Sequence, residues 1–499
     1  MKQAAVVLVI GLLNIVSLGQ QTNYTQYVNP LIGTERMGHT YPGATVPFGA
    51  VQLSPDTDEQ PQNVGGKYNP ETYRYCAGYQ YEDKEIVGFS HTHFSGTGHS
   101  DLGDFLIMPA VGELQLEPGT KGDPKSGFRS AFSHATEVAE PDYYKVRLDD
   151  DNILAEMTTT TRVGFHQYTF GNAGDAHLIL DLMHGIYEYE GKNLWTYVRV
   201  VDDHTVVGYR STDGWARTRT EYFAMEFSRP FSHYGYKEFA KQPYTGFWRK
   251  FDQYHDFPEM AGKQLRTWFD FGKVAAGEKI QVKFALSPVS TDGAISNLRS
   301  EIRDWDFERV RREGRESWNK ELSRIGVTMD SRDDMTSFYT SMYHAMITPT
   351  VYMDADNPPY SEGLYRGVDH EIHSAFSDVA PLPTKGSYNF TNYTTFSLWD
   401  TFRAFHPLMN IIEPSRNRDM IRSMMAVHDQ SPEQMLPVWE TYGNETWCMI
   451  GYHSAAVIAD AIVTGNLTGA EANKALDDAI ETAHTGYYDG ISWYEKMGY

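Results

Sequence analysis

Only two cysteines, Cys76 and Cys448, occur in 499 residues, and they stand far apart. That excludes a disulfide framework and a four-thiolate zinc site, and it predicts both thiols as small buried apolar side chains. No apolar run is long enough to span a bilayer, and the mean hydropathy is -0.49, which excludes a multispanning membrane protein. Basic charge is scarce: 43 Lys+Arg against 66 Asp+Glu leave a net charge of -23, so phosphate backbones are repelled and no nucleic-acid partner is expected. The 42 Gly and 23 Pro follow no short period, which excludes a collagen-like chain. No Gly-x-x-x-x-Gly-Lys-Ser/Thr phosphate loop and no internal repeat occur.

What is present reads as a globular chain of two to three domains, at roughly one per 150 residues. Lys2, the apolar run Ala4 to Leu13 and the small residues of Ser17-Leu18-Gly19 predict a signal peptide over residues 1–20. The mature protein is then exported, periplasmic or extracellular, with no membrane insertion. Residues 21–290 carry short β-branched and aromatic runs separated by Gly, Asp and Asn turns, which predicts an antiparallel β-sandwich. From Val163 to Phe170 both alternating faces carry aromatics, as expected when more than one face is buried. Beyond Pro288 the period changes. Leu298, Ile302, Trp305, Phe307, Val310, Trp318 and Leu322 predict a long connecting helix within a linker at 291–330. Further helical stripes run from Phe402 to Ile412, where Pro407 should introduce a kink, and from Met449 to Ile462. The chain is therefore β then α rather than a βαβ protein.

Four segments depart from plain core texture. Gly33 to Thr57 is rich in Gly and Pro, so its backbone approaches a ligand or a neighbouring strand. Ile86 to Pro109 crowds His91, His93, His99, Asp101 and Asp104 into one loop, together with Gly96 and Gly98. His-x-His spacing invites a metal, but hydrogen bonding along a cleft wall is favoured, with a structural turn network next. Ser397 to Pro407 places Trp399, Asp400 and Arg403 together on a helix, either as equipment for a sugar ring or as an intrahelical ion pair beside a core indole. Leu436 to Ser454 puts Glu445 at the opening of an apolar helix among Trp439, Glu440, Trp447 and His453, where it caps the helix or binds hydroxyls.

Taken in this order, with Asn297 to Leu322 and Phe338 to Asp354, these segments resemble the family-92 glycoside hydrolases, exported bacterial α-mannosidases. The resemblance implies a β-sandwich followed by an (α/α)6 barrel, with sugar bound where the two meet. It implies Ca2+ and an inverting cleavage of terminal α-linked mannose, α-1,2 in mannosides or N-glycans. Inversion requires an acid and a base roughly 6.5–9.5 Å apart. By resemblance Trp399 and Asp400 contact the mannose with Arg403 beside them, and the loop holding His91, His93, Gly96 and Gly98 walls the cleft. Glu445 completes the expected substrate-binding set. The family's Glu-Gly-Asn and later Gly-Asn-acidic-Asp motifs do not occur. The resemblance then implies an incomplete barrel over 331–499, with acid, base and calcium ligands expected C-terminal to Tyr499, and a chain inactive by itself. The alternative is a non-catalytic glycan-binding protein.

Overall fold

The computed structural model describes residues 22–241, 252–357, 361–375, 390–486 and 490–498. The expected signal peptide lies outside the described residues. Two antiparallel sheets form the first part. In spatial order the six-stranded sheet runs Ser54–Asp56, Gly88–Ser90, Leu106–Val111, Gly174–Asp181, Leu265–Val274 and His233–Glu238. The nine-stranded sheet centres on Arg219–Phe227, Lys279–Ser287, Val163–Phe170 and Ile153–Thr159. Phe89, Ile107, Leu178 and Phe269 of the smaller sheet share one core with Tyr144, Met157, Tyr168 and Phe284 of the larger.

The strand Val163–Phe170 explains its own two-faced sequence. Tyr168 and Phe170 enter the core between the sheets. Val163 and Phe165 point the other way, into a second core with Ala294, Leu298, Ile302, Phe307 and Val310. The second cover is thus helical. It is not one long helix, as the periodicity predicted, but two: Thr291–Glu301 and Phe307–Leu322. The Ser290 hydroxyl accepts from the Gly293 amide at 3.0 Å and the Asp306 carboxylate from the Arg309 amide at 3.0 Å, so each helix has its own N-terminal cap.

The helical part follows with Arg332–Ala345, Leu398–Thr401, Phe405–Ile412, Pro414–Gln430, Ser454–Val463, Gly469–His484 and Ile491–Met497. Pro407 does not kink its helix. It is the third residue of Phe405–Ile412, inside the first turn, where no intrahelical donor is lost. The glycine-rich segment serves the junction between the two parts. Phe48 donates its amide to the Met346 carbonyl at 2.8 Å and accepts from the Val351 amide at 2.9 Å. Gly43 lies so close to the Leu53 and Ser54 backbone that no Cβ could be accommodated.

Trp318 ties these pieces together. It is fully buried, its indole donates to the Thr45 carbonyl at 2.6 Å, and its ring meets Tyr343 at 4.7 Å. Replacing it with alanine opens a cavity and strands a buried carbonyl. Trp318→Ala is expected to lose about 3–5 kcal/mol of stability, measured by denaturant unfolding. A loss below about 1 kcal/mol would contradict this role.

Candidate functional site

A cleft of about 480 Å³ opens between the sandwich and the helical part. Tyr73, Phe94 to His99 and Trp215 line it from the sandwich. Thr348, Thr395, Ser397, Asp400, Thr401, Phe405, Trp439, Cys448 and Met449 line it from the helical part. Asp400 is the one carboxylate among the described residues lining this cleft.

Its helix is a single turn, Leu398–Thr401, and the carboxylate accepts from the Ser397 hydroxyl. Arg403 lies beyond that turn. Its guanidinium folds over the Trp399 and Phe402 rings, each at 4.9 Å, and its Nε donates to the Trp399 carbonyl at 3.2 Å. Among the described residues no ion pair joins Asp400 to Arg403. The carboxylate therefore stays available to the cleft.

The His-rich segment splits by depth. Its base is closed by the Thr92 hydroxyl donating to Asp104 at 2.6 Å and by Arg219, which grips Asp104 with two bonds of 2.6 and 2.7 Å. Its tip, including Gly96 and Gly98, lines the cleft. Gly96 has φ 76°, in the left-handed region, and a side chain at Gly98 would strike the Tyr73 ring. His91 and His93, expected on the cleft wall, sit at the buried base instead. His91 bonds the Phe105 carbonyl at 2.8 Å and His166 at 3.0 Å, and burial brings its pKa down to about 3. His93 bonds the Gln52 carbonyl at 2.8 Å and Asp56 at 2.9 Å. Both ring nitrogens of each imidazole are taken by these buried partners, so the two form neither a cleft wall nor a metal pair. The histidine of this segment that does line the cleft is His99.

Glu445 also differs from expectation. It lies in a tight hairpin of strands Glu440–Thr441 and Asn444–Glu445, and the apolar helix starts only at Ser454. Its Oε1 accepts from the Trp439 and Trp447 amides at 2.9 Å and its Oε2 from the Val438 amide at 2.9 Å. Both oxygens are committed to backbone rather than to a helix end. Burial raises its pKa, opposed by those same amides. Beside it, burial pushes Glu440 up to about 8 despite bonds from the Thr394 hydroxyl and the Gly443 amide. Cys448, expected in the core, is only half-buried and faces the cleft, whereas Cys76 is buried.

Backbone strain gathers here. Thr395, Tyr442, Trp447 and Met449 adopt φ of 69°, 49°, 55° and 68°, which non-glycine residues rarely hold unless the surroundings impose it. Trp215 and Trp439 were missed as cleft residues by sequence reasoning. Their rings meet at 4.2 Å, joining a turn between two strands to the hairpin of the helical part. The only signal for Trp215 was a tryptophan in an Asp213-Gly214 turn, where large aromatics are unexpected.

Calcium was tested against the residues present. Two groups of acidic and histidine side chains converge among the described residues. Asp202, Asp203 and His204 form a largely exposed turn on the sandwich. In the group of His428, Asp429 and Asp478, the two carboxylates already hold the Lys474 ammonium, each at 2.7 Å, and His428 bonds Asp429 at 3.2 Å. Neither group borders the cleft, and neither offers the oxygen-rich cage that Ca2+ takes.

The cleft, its aromatic walls and its single carboxylate are the equipment of a carbohydrate-active protein. Residues 27–287 match the glycosyl hydrolase family 92 N-terminal domain and residues 293–499 the glycosyl hydrolase family 92 catalytic domain. The chain belongs to glycosyl hydrolase family 92. The expected absence of the catalytic portion, and with it an inactive chain, is overturned by this second match. A family GH92 α-mannosidase of Bacteroides thetaiotaomicron, solved in complex with mannoimidazole, is 40% identical with a TM-score of 0.83. The alignment covers 96% of this chain and 58% of that one. An inverting family GH92 mannosidase of the same organism is 26% identical, TM-score 0.74, over 96% and 58% of the two chains. An uncharacterized secreted glycosidase of Arthroderma benhamiae is 25% identical over 382 residues, which are 70% of this chain and 46% of the relative. The chain thus spans about half the length of these relatives.

Glu440 provides a test of the site's electrostatics. Its folded pKa lies above the ordinary 4.5, so the native state holds a proton that the unfolded chain releases, and its contribution to stability falls as pH rises from about 4.5 to about 8. Glu440→Gln removes that contribution. The expected outcome is a smaller drop in Tm between pH 5 and 8 than in the parent, by calorimetry; parallel curves would refute a protonated Glu440.

Proposed function

We propose that this protein is an exported α-mannosidase that removes terminal α-linked mannose, of α-1,2 linkage, from mannosides or N-glycans with inversion at the anomeric carbon. The carrying observation is Asp400, an unpaired carboxylate presented to an aromatic-lined cleft at the domain junction, in a chain belonging to glycosyl hydrolase family 92. A neutral hexose needs both features: a carboxylate accepts from vicinal hydroxyls, and aromatic rings cover the C–H faces. Trp399 and Arg403 stack on each other next to Asp400 in its own motif, and Gly98 lets the opposite loop pack against the Tyr73 ring. Glu445, His91 and His93 enter this reading as residues that hold the walls rather than touch sugar. The mannoimidazole complex of the 40% identical relative supports mannose as the ligand class. Export is supported by the secreted relative and by the N-terminal sequence, and no helix among the described residues is long and apolar enough to cross a membrane. Calcium accompanies the proposal on the resemblance alone, with no ligand assigned.

The full chain incubated with α-1,2-mannobiose is expected to release mannose, seen first as the β-anomer by proton NMR. Activity is expected to fall in EDTA and return with Ca2+; activity untouched by EDTA would remove the metal from the proposal. Binding of mannoimidazole without mannose release would instead identify a glycan-binding protein. Asp400→Ala removes hydrogen bonds to a charged group, each worth about 1.5–3 kcal/mol, so kcat/KM should drop roughly 10- to 100-fold with an unchanged circular dichroism spectrum. A change within about twofold would remove Asp400 from the sugar site.

A further inference from the structure

The cleft's aromatic wall is assembled from two domains, and each contributes a carboxylate beneath it, buried on the sandwich side and half-buried on the helical side. On the sandwich side, Asp101 is about 1% exposed and its Oδ2 accepts from the Trp215 amide at 2.8 Å. Its Oδ1 accepts from the Leu102 amide at 2.8 Å and lies 3.6 Å from the Lys192 ammonium. Gly214 passes so close to this carboxylate that any Cβ there would collide with it. On the helical side, Glu445 does the same for Trp439, fixing the Val438 and Trp439 amides ahead of its hairpin and the Trp447 amide after it.

The two indoles so anchored meet at 4.2 Å with their planes 40° apart. His99 lies flat against the outer face of Trp215 at 4.2 Å and 7°. Phe94 closes the edge, 5.8 Å from Trp215 and 6.2 Å from Trp439. The result is a continuous stack of His99, Trp215 and Trp439 across the domain junction, all three bordering the cleft. Neither carboxylate borders the cleft itself among the described residues. A carboxylate whose hydrogen bonds come from backbone amides adds nothing to sugar contact, but it fixes where the side chain on each of those amides starts. Shifting one indole must move the other, because packed rings have few alternative arrangements.

We propose that Asp101 and Glu445 are paired positioning residues that set the Trp215–Trp439 wall of the cleft from opposite domains, and through it the fit of a mannose-containing ligand. This rests on the proposed mannosidase reading. It assigns to the two carboxylates one shared effect, which independent loop braces would not have.

The isosteric variants Asp101→Asn and Glu445→Gln, each made in the full chain, test it. Either alone is expected to raise KM for α-1,2-mannobiose and Kd for mannoimidazole roughly tenfold while kcat stays within about twofold. Together they are expected to stay near the single-variant value rather than reach the roughly 100-fold product that independent sites give. In chain labelled with 5-fluorotryptophan, Glu445→Gln is expected to shift the fluorine resonance of Trp215, assigned by Trp215→Phe, although that residue belongs to the other domain. Single variants that bind like the parent, a double variant at the full product, or an unmoved Trp215 resonance would each overturn the proposal. If Glu445→Gln does not fold, Asp101→Asn in a Trp215→Phe background replaces it: no further change in Kd is expected, and an added tenfold loss would refute the shared wall. A parental chain that neither binds nor cleaves mannosides defeats the mannosidase reading, and the fluorine measurement still decides the coupling.

Discussion

The Arg219 guanidinium is the interaction on which the site depends. It lies at the end of a central strand of the nine-stranded sheet, buried, with one edge on Asp104 through two short hydrogen bonds and one face over the Tyr442 ring at 4.9 Å. The first contact closes the base of the loop whose tip walls the cleft. The second reaches the hairpin of the helical part that carries Glu440 and Glu445. Desolvating such a pair is costly, and removing one partner would leave the other charge uncompensated, typically at about 3–5 kcal/mol. Arg is suited to this place because a planar fork can bind a carboxylate edge-on and still offer its face to an aromatic ring. Lysine could not do both.

A second buried network shows how the sandwich keeps its end of the cleft rigid. Asp56 lies between His93 at 2.9 Å and His184 at 2.8 Å, and His184 continues to Glu59 at 2.6 Å. Burial alone would raise the Asp56 pKa, yet the two imidazoles hold it well below the usual range. Burial would lower His184, yet its two carboxylates raise it to about 10. The signs set the working window. The Asp56 contribution is complete above the ordinary carboxylate range, and the His184 contribution is complete below about 6.5 and fades towards 10. Of the two histidines that spacing offered as a metal pair, His93 is thus part of a charge-compensated interior, and His91 bonds the Phe105 carbonyl and His166 instead.

How much of this was legible in sequence depends on what kind of information each feature needs. The two-residue period of Val163–Phe170 identified a strand buried on both faces, because alternation is local. The identity of the second cover was not local: it came from helices that follow more than a hundred positions later in the chain. Asp400 was legible because Ser397 to Pro407 holds its whole context in one short motif. His91 and His93 were misplaced because spacing along a strand gives the direction of a side chain and not its depth. Glu445 was read as opening a helix, since an apolar stripe follows it, but Gly443 at φ 68° and Tyr442 at 49° turn a hairpin there. Trp215 could not be placed at all, since its partners come from two other segments, His99 and Asp101 from one and Trp439 from another.

The placement of the acidic side chains shows how so acidic a chain would suit the neutral ligand proposed for it. Of the carboxylates around the junction, Asp101, Asp104 and Glu440 are buried and Glu445 is half-buried, and they spend their oxygens on amides, hydroxyls, Lys192 or Arg219. They shape the cleft without charging it. Glu440, pushed up to about 8, adds no full charge at neutral pH. Among the described residues Asp400 alone presents a carboxylate to the opening, so local recognition rests on hydrogen bonds and aromatic surface, which salt screens little. The net charge of -23 acts farther out, where it opposes anionic polymers and leaves uncharged sugars unaffected. Specificity in such a site comes from where the walls stand, and the walls stand where buried carboxylates hold the backbone.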